Sequence, residues 1–341
     1  MRVLVTGCGG FLGSEIARQL ISRGDDVVGI SRREYPALNR LGMIHRRGDL
    51  VDADFTRTAF NNIDAVIHTA AVAGVWGPWQ HFHSINTVAT ENVIAACQAG
   101  DIRTLVFTSS PSVTFAGDDQ SGVDESVPYP DDWLCHYPHT KAIAEQAVLK
   151  ADAPGGLRTC ALRPHLIWGN DDPHILPRLV ARAKSGRLRI VGDGTNRVDT
   201  VHVINAAAAH LDAVNVLSGN SQSGNSQLMD VDAAAGRAYF ITQDDPVDCW
   251  GWISQICELA GIRPPTKKIS AATAYRIGGV LEAVYRVTGR KSEPPMTRFV
   301  AAQMAKDHYF DITAAKQRLG YRVRVSMDEG LEMLRQHWQT R

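Results

Sequence analysis

The chain has 341 residues, 44% hydrophobic and 21% charged, with 36 Lys plus Arg against 36 Asp plus Glu. That length fits about two domains, the composition excludes a mainly disordered chain, and the zero net charge lacks the footprint of a nucleic-acid binder. No apolar run is long enough to span a bilayer as a helix, and Val3-Leu4-Val5 is too short for a secretory leader. The cysteines Cys8, Cys97, Cys135, Cys160, Cys249 and Cys257 form no C-x-x-C pair. Reduced thiols in a cytoplasmic protein are expected.

In chain order, Arg2 to Thr6 reads as a strand and Ser14 to Ser22 as a helix stopped by Gly24. Between them Gly7, Gly10 and Gly13 have a G-x-x-G-x-x-G spacing. Gly7 suits a tight exit from the strand, Gly10 a close approach to a pyrophosphate, and Gly13 close packing of helix on sheet. The free N–H groups at the helix start, at Phe11 and Leu12, would face the anion. A bound dinucleotide is therefore expected. The second strand, Asp26 to Ile30, ends in Ser31-Arg32-Arg33, with no carboxylate to take the ribose hydroxyls. Two arginines suit a 2′-phosphate, so NADP(H) is expected, with NAD the alternative if both are solvated loop charges.

A short third strand falls near Met43 to Arg46, and a fourth at Ala65 to His68. The segment that follows holds Trp76 and Trp79, which fit either an apolar pocket beside the cofactor or a closed domain interface. His68, His81 and His83 share no metal-ligand spacing with a carboxylate or thiol, so no metal site is expected. Thr87 to Ala99 reads as a helix and Thr104 to Thr108 as the fifth strand, ending in Ser109-Ser110. A hydroxyl at a strand's carboxyl end suits a substrate carbonyl; Ser110 is the choice and Ser109 the reserve. Tyr137-Pro138-His139-Thr140-Lys141 is the one Y-x-x-x-K in the chain and opens a helix running to Lys150. Four residues apart, the two side chains share a face, and the ammonium favours the phenolate, making Tyr137 a candidate acid or base.

Thr159 to Leu162 is a sixth strand. Apolar strands alternating with helices give an α/β fold with a doubly wound parallel sheet. Ile175 to Ser185, Val203 to Val216, Cys249 to Ala260, Ala271 to Val287 and Met327 to Trp338 read as helices, and Ala238 to Thr242 as a strand in or beside the first sheet. The expected division is a dinucleotide-binding domain over 1–168, rejoined by 198–216 and 236–243. A smaller α-rich substrate domain takes 169–197 and 244–341, with a polar flexible loop at 217–228. The amphipathic stretch 271–289 fits a helix capping the substrate domain, with a membrane surface or lipid-handling partner as the alternative.

The chain resembles the extended short-chain dehydrogenase/reductases through TGCGGFLG at 6–13, Gly48-Asp49-Leu50, Asp64 to Ala71, Asn86, Ser109-Ser110, YPHTK at 137–141 and Leu162 to Gly169. The resemblance implies a Rossmann domain plus a small substrate domain, with Tyr137 as general acid or base, Lys141 on the nicotinamide ribose and Ser110 on the substrate oxygen. It also implies Asp49 and Leu50 against the adenine, Ala70 and Ala71 along the cofactor, Asn86 supporting the active-site helix, and Pro164 and His165 beside the nicotinamide. In the second half, Leu176 to Leu179, Gly186 to Asn196, Asp199 to Asn205 and Ala271 to Glu282 resemble the 3β-hydroxysteroid and sterol-carboxylate dehydrogenase branch. A ketone reductase acting on a hydrophobic 3-oxo acid or sterol-like compound is implied, as is a homodimer. A nucleotide-sugar epimerase or dehydratase with tightly held NAD is the competing enzyme class, and an NADP-binding redox sensor the non-enzymatic one.

Overall fold

In a computed structural model of the chain, residues 1–220 and 230–340 are described. Most of the 217–228 tract read as a loop lies outside the described residues. Seven parallel strands form the central sheet: β1 (Arg2–Thr6), β2 (Asp26–Ser31), β3 (Ile44–Arg47), β4 (Ala65–His68), β5 (Thr104–Thr108), β6 (Arg158–Pro164) and β7 (Arg237–Ile241). Their spatial order is β7-β6-β5-β4-β1-β2-β3. Val3, Leu4 and Val5 in β1, and Leu105, Val106 and Phe107 in β5, have no exposed surface. Such continuous apolar runs require cover on both faces. Strand order reverses between β1 and β4, which opens a crevice outside their carboxyl ends.

The helices over the sheet are α1 (Phe11–Arg23), α2 (Ala89–Ala99), α3 (His136–Lys150) and, after α4 (Ile175–Lys184), α5 (Val203–Leu217). One apolar cluster joins α1 and α5 to one face of the sheet, and a second joins α2 and α3 to the other. Helix α5 runs Asn205-Ala-Ala-Ala-Ala-His210, and its small side chains let it lie close on the sheet. The strand expected in or beside the first sheet pairs in it: β7 runs parallel to β6, Ala238 beside Ala161.

Two expectations shift. The helix read as Thr87 to Ala99 is preceded by a π-helical turn over His83–Val88. The α-rich second half also carries short strands. Val247–Asp248, Arg197–Val198, His308–Phe310 and Gln120–Val123 make a four-stranded sheet, so a segment from the first half crosses into it. Helices α6 (Cys249–Leu259), α7 (Ala271–Val287), α8 (Arg298–Ala305) and α9 (Met327–Gln339) complete this part. Trp168, Trp250, Trp252, Ile256 and Leu334 share its apolar cluster. Among the described residues no helix is long and apolar enough to cross a membrane.

Candidate active site

The glycine loop lies at the crevice. Gly7 has φ +66°, and its N–H bonds the Ile30 carbonyl at 2.8 Å. A side chain there would meet the Ala70 backbone at 2.9 Å, and one at Gly13 would lie 2.3 Å from the Gly7 carbonyl oxygen. The loop is therefore pressed against both β4's exit and its own helix. Gly10 caps α1 without a side-chain bond, and the first turn has no acid. The N–H groups of Phe11 and Leu12 are left to an anion, so this cradle fits a dinucleotide pyrophosphate.

At the end of β2, the Ser31 hydroxyl bonds the Arg33 carbonyl and His45 Nε2, both at 2.7 Å. Arg32 and Arg33 are exposed, and neither guanidinium has a side-chain partner among the described residues. Tyr35 lies across Gly9, where a Cβ would fall 1.8 Å from its ring. Asp49 is exposed and accepts from the Val51 N–H at 3.1 Å, while Leu50 is buried against α2.

A buried polar chain ties this loop to α3. Thr90 gives its hydroxyl proton to the Asn86 carbonyl at 2.7 Å, so it accepts from His68 Nε2 at 2.9 Å. Neutral His68 then accepts from the Thr6 hydroxyl through Nδ1 at 2.7 Å. Thr6 Oγ1 in turn accepts the Ala70 N–H, next to exposed Ala71. Burial, with the neighbouring Lys141 charge, pushes the His68 imidazole down to about 3. Asn86 clamps Val72 through both backbone groups, at 2.8 and 3.1 Å, and donates to Thr140 Oγ1 at 3.1 Å. Asn86 thus bridges the loop after β4 to α3 through its side chain.

Tyr137 and Lys141 lie on α3, one turn apart. Burial pushes the Tyr137 phenol up to about 12, and the Ser110 hydroxyl against it pulls the other way. Ser110 Oγ also meets Ser112 Oγ at 2.8 Å. Ser109 instead is buried, and its hydroxyl has no partner among the described residues. Lys141 is 2% exposed; its Nζ donates to the Thr108 carbonyl at 2.6 Å and lies 3.9 Å from the Phe107 ring centre. Burial brings its ammonium down to about 7, with Glu145 opposing. The local geometry differs here from the sequence expectation: burial, not the lysine charge, dominates the tyrosine.

One turn beyond Lys141, buried Glu145 pairs with Arg163 through two hydrogen bonds, at 2.5 and 3.0 Å, and accepts from Tyr129 at 2.6 Å. Pro164 ends β6. His165 Nε2 lies 2.6 Å from His308 Nδ1, and His308 Nε2 donates to the Gln303 carbonyl at 2.7 Å. The carbonyl can only accept, so neutral His308 accepts from His165. Sequence reasoning missed Thr108, Glu145 and His308; the Leu-Arg-Pro run at 162–164 was visible, but nothing local marked its partners.

The tryptophans sit apart. Trp76 donates from Nε1 to the Arg290 carbonyl at 3.3 Å and meets Tyr285 edge to face, joining the loop after β4 to α7's end. Trp79 packs on His83, His136 and His139, and Trp133 stacks on His139. No metal-binding cluster of His, Cys, Asp or Glu occurs among the described residues.

A glycine-cradled crevice, with a half-buried tyrosine and a buried lysine on α3, defines an NAD(P)-dependent oxidoreductase of the extended short-chain class. The 3-beta hydroxysteroid dehydrogenase/isomerase family profile matches residues 4–270, and the chain belongs to that family. It is 44% identical over 337 residues to a 2-alkyl-3-oxoalkanoate reductase of Shewanella oneidensis, covering 97% of this chain and 84% of that one. It is 43% identical over 338 residues to a 2-alkyl-3-oxoalkanoate reductase of Stenotrophomonas maltophilia, covering 98% of each. Among solved structures it is similar to MoeE5 in complex with UDP-glucose and NAD, with TM-score 0.72, 26% identity, and coverage of 100% of this chain and 99% of that one.

Proposed function

We propose that the protein is an NADP(H)-dependent reductase of a hydrophobic 3-oxo acid of the 2-alkyl-3-oxoalkanoate class. The observation that carries this reading is the Tyr137 phenol facing the Ser110 hydroxyl, one turn of α3 before buried Lys141, whose Nζ donates to the Thr108 carbonyl at the carboxyl end of β5. When bound, reduced nicotinamide supplies hydride to the ketone carbon. Tyr137, protonated throughout the neutral range, gives its proton to the oxygen as charge develops there, and Ser110 donates a hydrogen bond to the same oxygen. Lys141 steadies the phenolate left behind and offers its remaining N–H donors to the nicotinamide ribose. The product is the 3-hydroxy acid, and solvent returns the proton to Tyr137.

The glycine loop, with Phe11 and Leu12, would hold the pyrophosphate. Asp49, Leu50, Ala70, Ala71, Pro164 and His165 would line the rest of the cofactor site. Arg32 and Arg33, whose guanidinium groups have no side-chain partner among the described residues, support a 2′-phosphate and hence NADP(H). Trp76 and Trp79 would bound the substrate side. A homodimer through α2 and α3 is supported by a surface groove of about 330 Å³ between them, lined by Ile94, Ala95, Ala147 and Ala151; light scattering should read a dimer, and a monomer contradicts it.

The likeness to a UDP-glucose- and NAD-bound structure favours a second reading, a nucleotide-sugar enzyme. Absorbance of NADPH and NADH, followed with a 2-alkyl-3-oxo acid and separately with a UDP-sugar, separates the two. NADPH should be consumed with the oxo acid, and an Arg32→Ala/Arg33→Ala variant should lose about tenfold or more of the preference over NADH. Conversion of the sugar with no net cofactor use overturns the reductase reading.

A further inference from the structure

Nine large apolar side chains are exposed among the described residues, and five of them lie on α7: Tyr275, Ile277, Val280, Val284 and Val287. The last four follow spacings of three, four and three residues, so they form one stripe along the helix. Val280 is 64% exposed and Val287 89%. The other face is fixed. A Cβ on Gly278 would come 2.6 Å from the Thr297 carbonyl carbon, and buried Glu282 accepts from the Arg298 backbone at 2.7 Å and from its side chain at 2.9 Å. The stripe is therefore not a face awaiting α8.

Charge separates a lipid surface from other partners. Between residues 266 and 292 the chain places Lys267, Lys268, Arg276, Arg286, Arg290 and Lys291, all exposed. The one carboxylate in that span, Glu282, is buried and paired with Arg298 and Arg286. A chain of zero net charge thus gathers positive charge at both ends of its most exposed apolar stripe. An amphipathic helix with cationic flanks lies in the headgroup region of an anionic bilayer, apolar side down.

We infer that α7 docks the protein on an anionic membrane surface. The helix end that would rest there also meets the loop that leaves β4. Trp76, on the loop leaving β4, packs on Tyr285, and Arg286 lies over its ring at 5.7 Å. A bilayer under α7 would place the loop beside lipid-dissolved ketone; that consequence rests on the reductase reading, whereas the docking surface does not.

Vesicle flotation without substrate tests the docking alone. The protein should float with equimolar phosphatidylcholine and phosphatidylglycerol and stay behind with phosphatidylcholine only. A Val280→Asn/Val284→Asn variant, melting as cooperatively as the parent, should lose about tenfold or more of the bound fraction. No flotation by the parent, or undiminished flotation by the variant, overturns the inference. So does a parent that never floats but forms a dimer in light scattering that the variant loses, which would give the face to a second copy of the chain.

Discussion

Among the described residues the Lys141 side chain has one hydrogen bond, to the Thr108 carbonyl, and otherwise the face of Phe107. Burial lowers its ammonium to about 7, so the charge is present below that pH and is lost as pH rises through it. In the proposed reaction kcat/KM, which reports the free enzyme, should fall on the alkaline side of about 7. Lys141→Arg, whose guanidinium does not deprotonate, should retain a fraction of the activity and lose that limb; an unchanged midpoint in the variant would assign the titration elsewhere. Tyr137, Lys141 and Ser110 could be picked out as candidates because their signal is local: a four-residue helical spacing and a strand end. The partners that set their environment were not. His165 meets His308 across 143 positions, and Thr108 serves Lys141 with a backbone carbonyl, which any residue type carries.

The π-helical turn His83–Val88 does at the scale of an element what no residue type announces. It carries Asn86, which bridges Val72 and Thr140. The carboxamide both accepts from Val72 and donates to Val72 and Thr140, so only an amide satisfies all three. Asn86→Ala would leave buried backbone groups unpaired and should destabilise by about 2–3 kcal/mol in chemical denaturation. Asn86→Asp keeps the acceptor but loses both donors, and should not restore the parent's stability. Recovery in the aspartate variant would show that the bridge is not what matters. Apart from β3, whose Ile-His-Arg-Arg is mostly polar, the strands of the central sheet were readable as apolar runs bounded by glycine and polar turns. The two-residue strands of the smaller sheets were not, because so short a segment carries no periodicity and is ordered by its tertiary neighbours.

At the scale of the whole molecule, five histidines, His68, His165, His202, His210 and His308, are buried. Burial pushes His68 to about 3, His202 and His210 to about 4, and His165 and His308 down as well. Unfolded histidines bind protons near pH 6.5, so the unfolded chain takes up more protons as pH falls below that value and stability is lost. Asp199, raised to about 7 by burial, acts in the opposite sense, as do Asp212 and Glu125, but the histidines outnumber them. The melting temperature should therefore drop by roughly 10 °C from pH 7 to pH 5, and a flat profile would contradict the neutral assignments. In the proposed reaction Tyr137 hands a proton to a ketone oxygen as hydride reaches its carbon. Mass spectrometry of the acid formed from a 2-alkyl-3-oxo acid and NADPH deuterated at the transferring carbon reads this directly. Deuterium is expected at carbon 3 of a 3-hydroxy acid, with the rate reduced about a hundredfold or more in Tyr137→Phe. An undeuterated product, or a phenylalanine variant as fast as the parent, would contradict it.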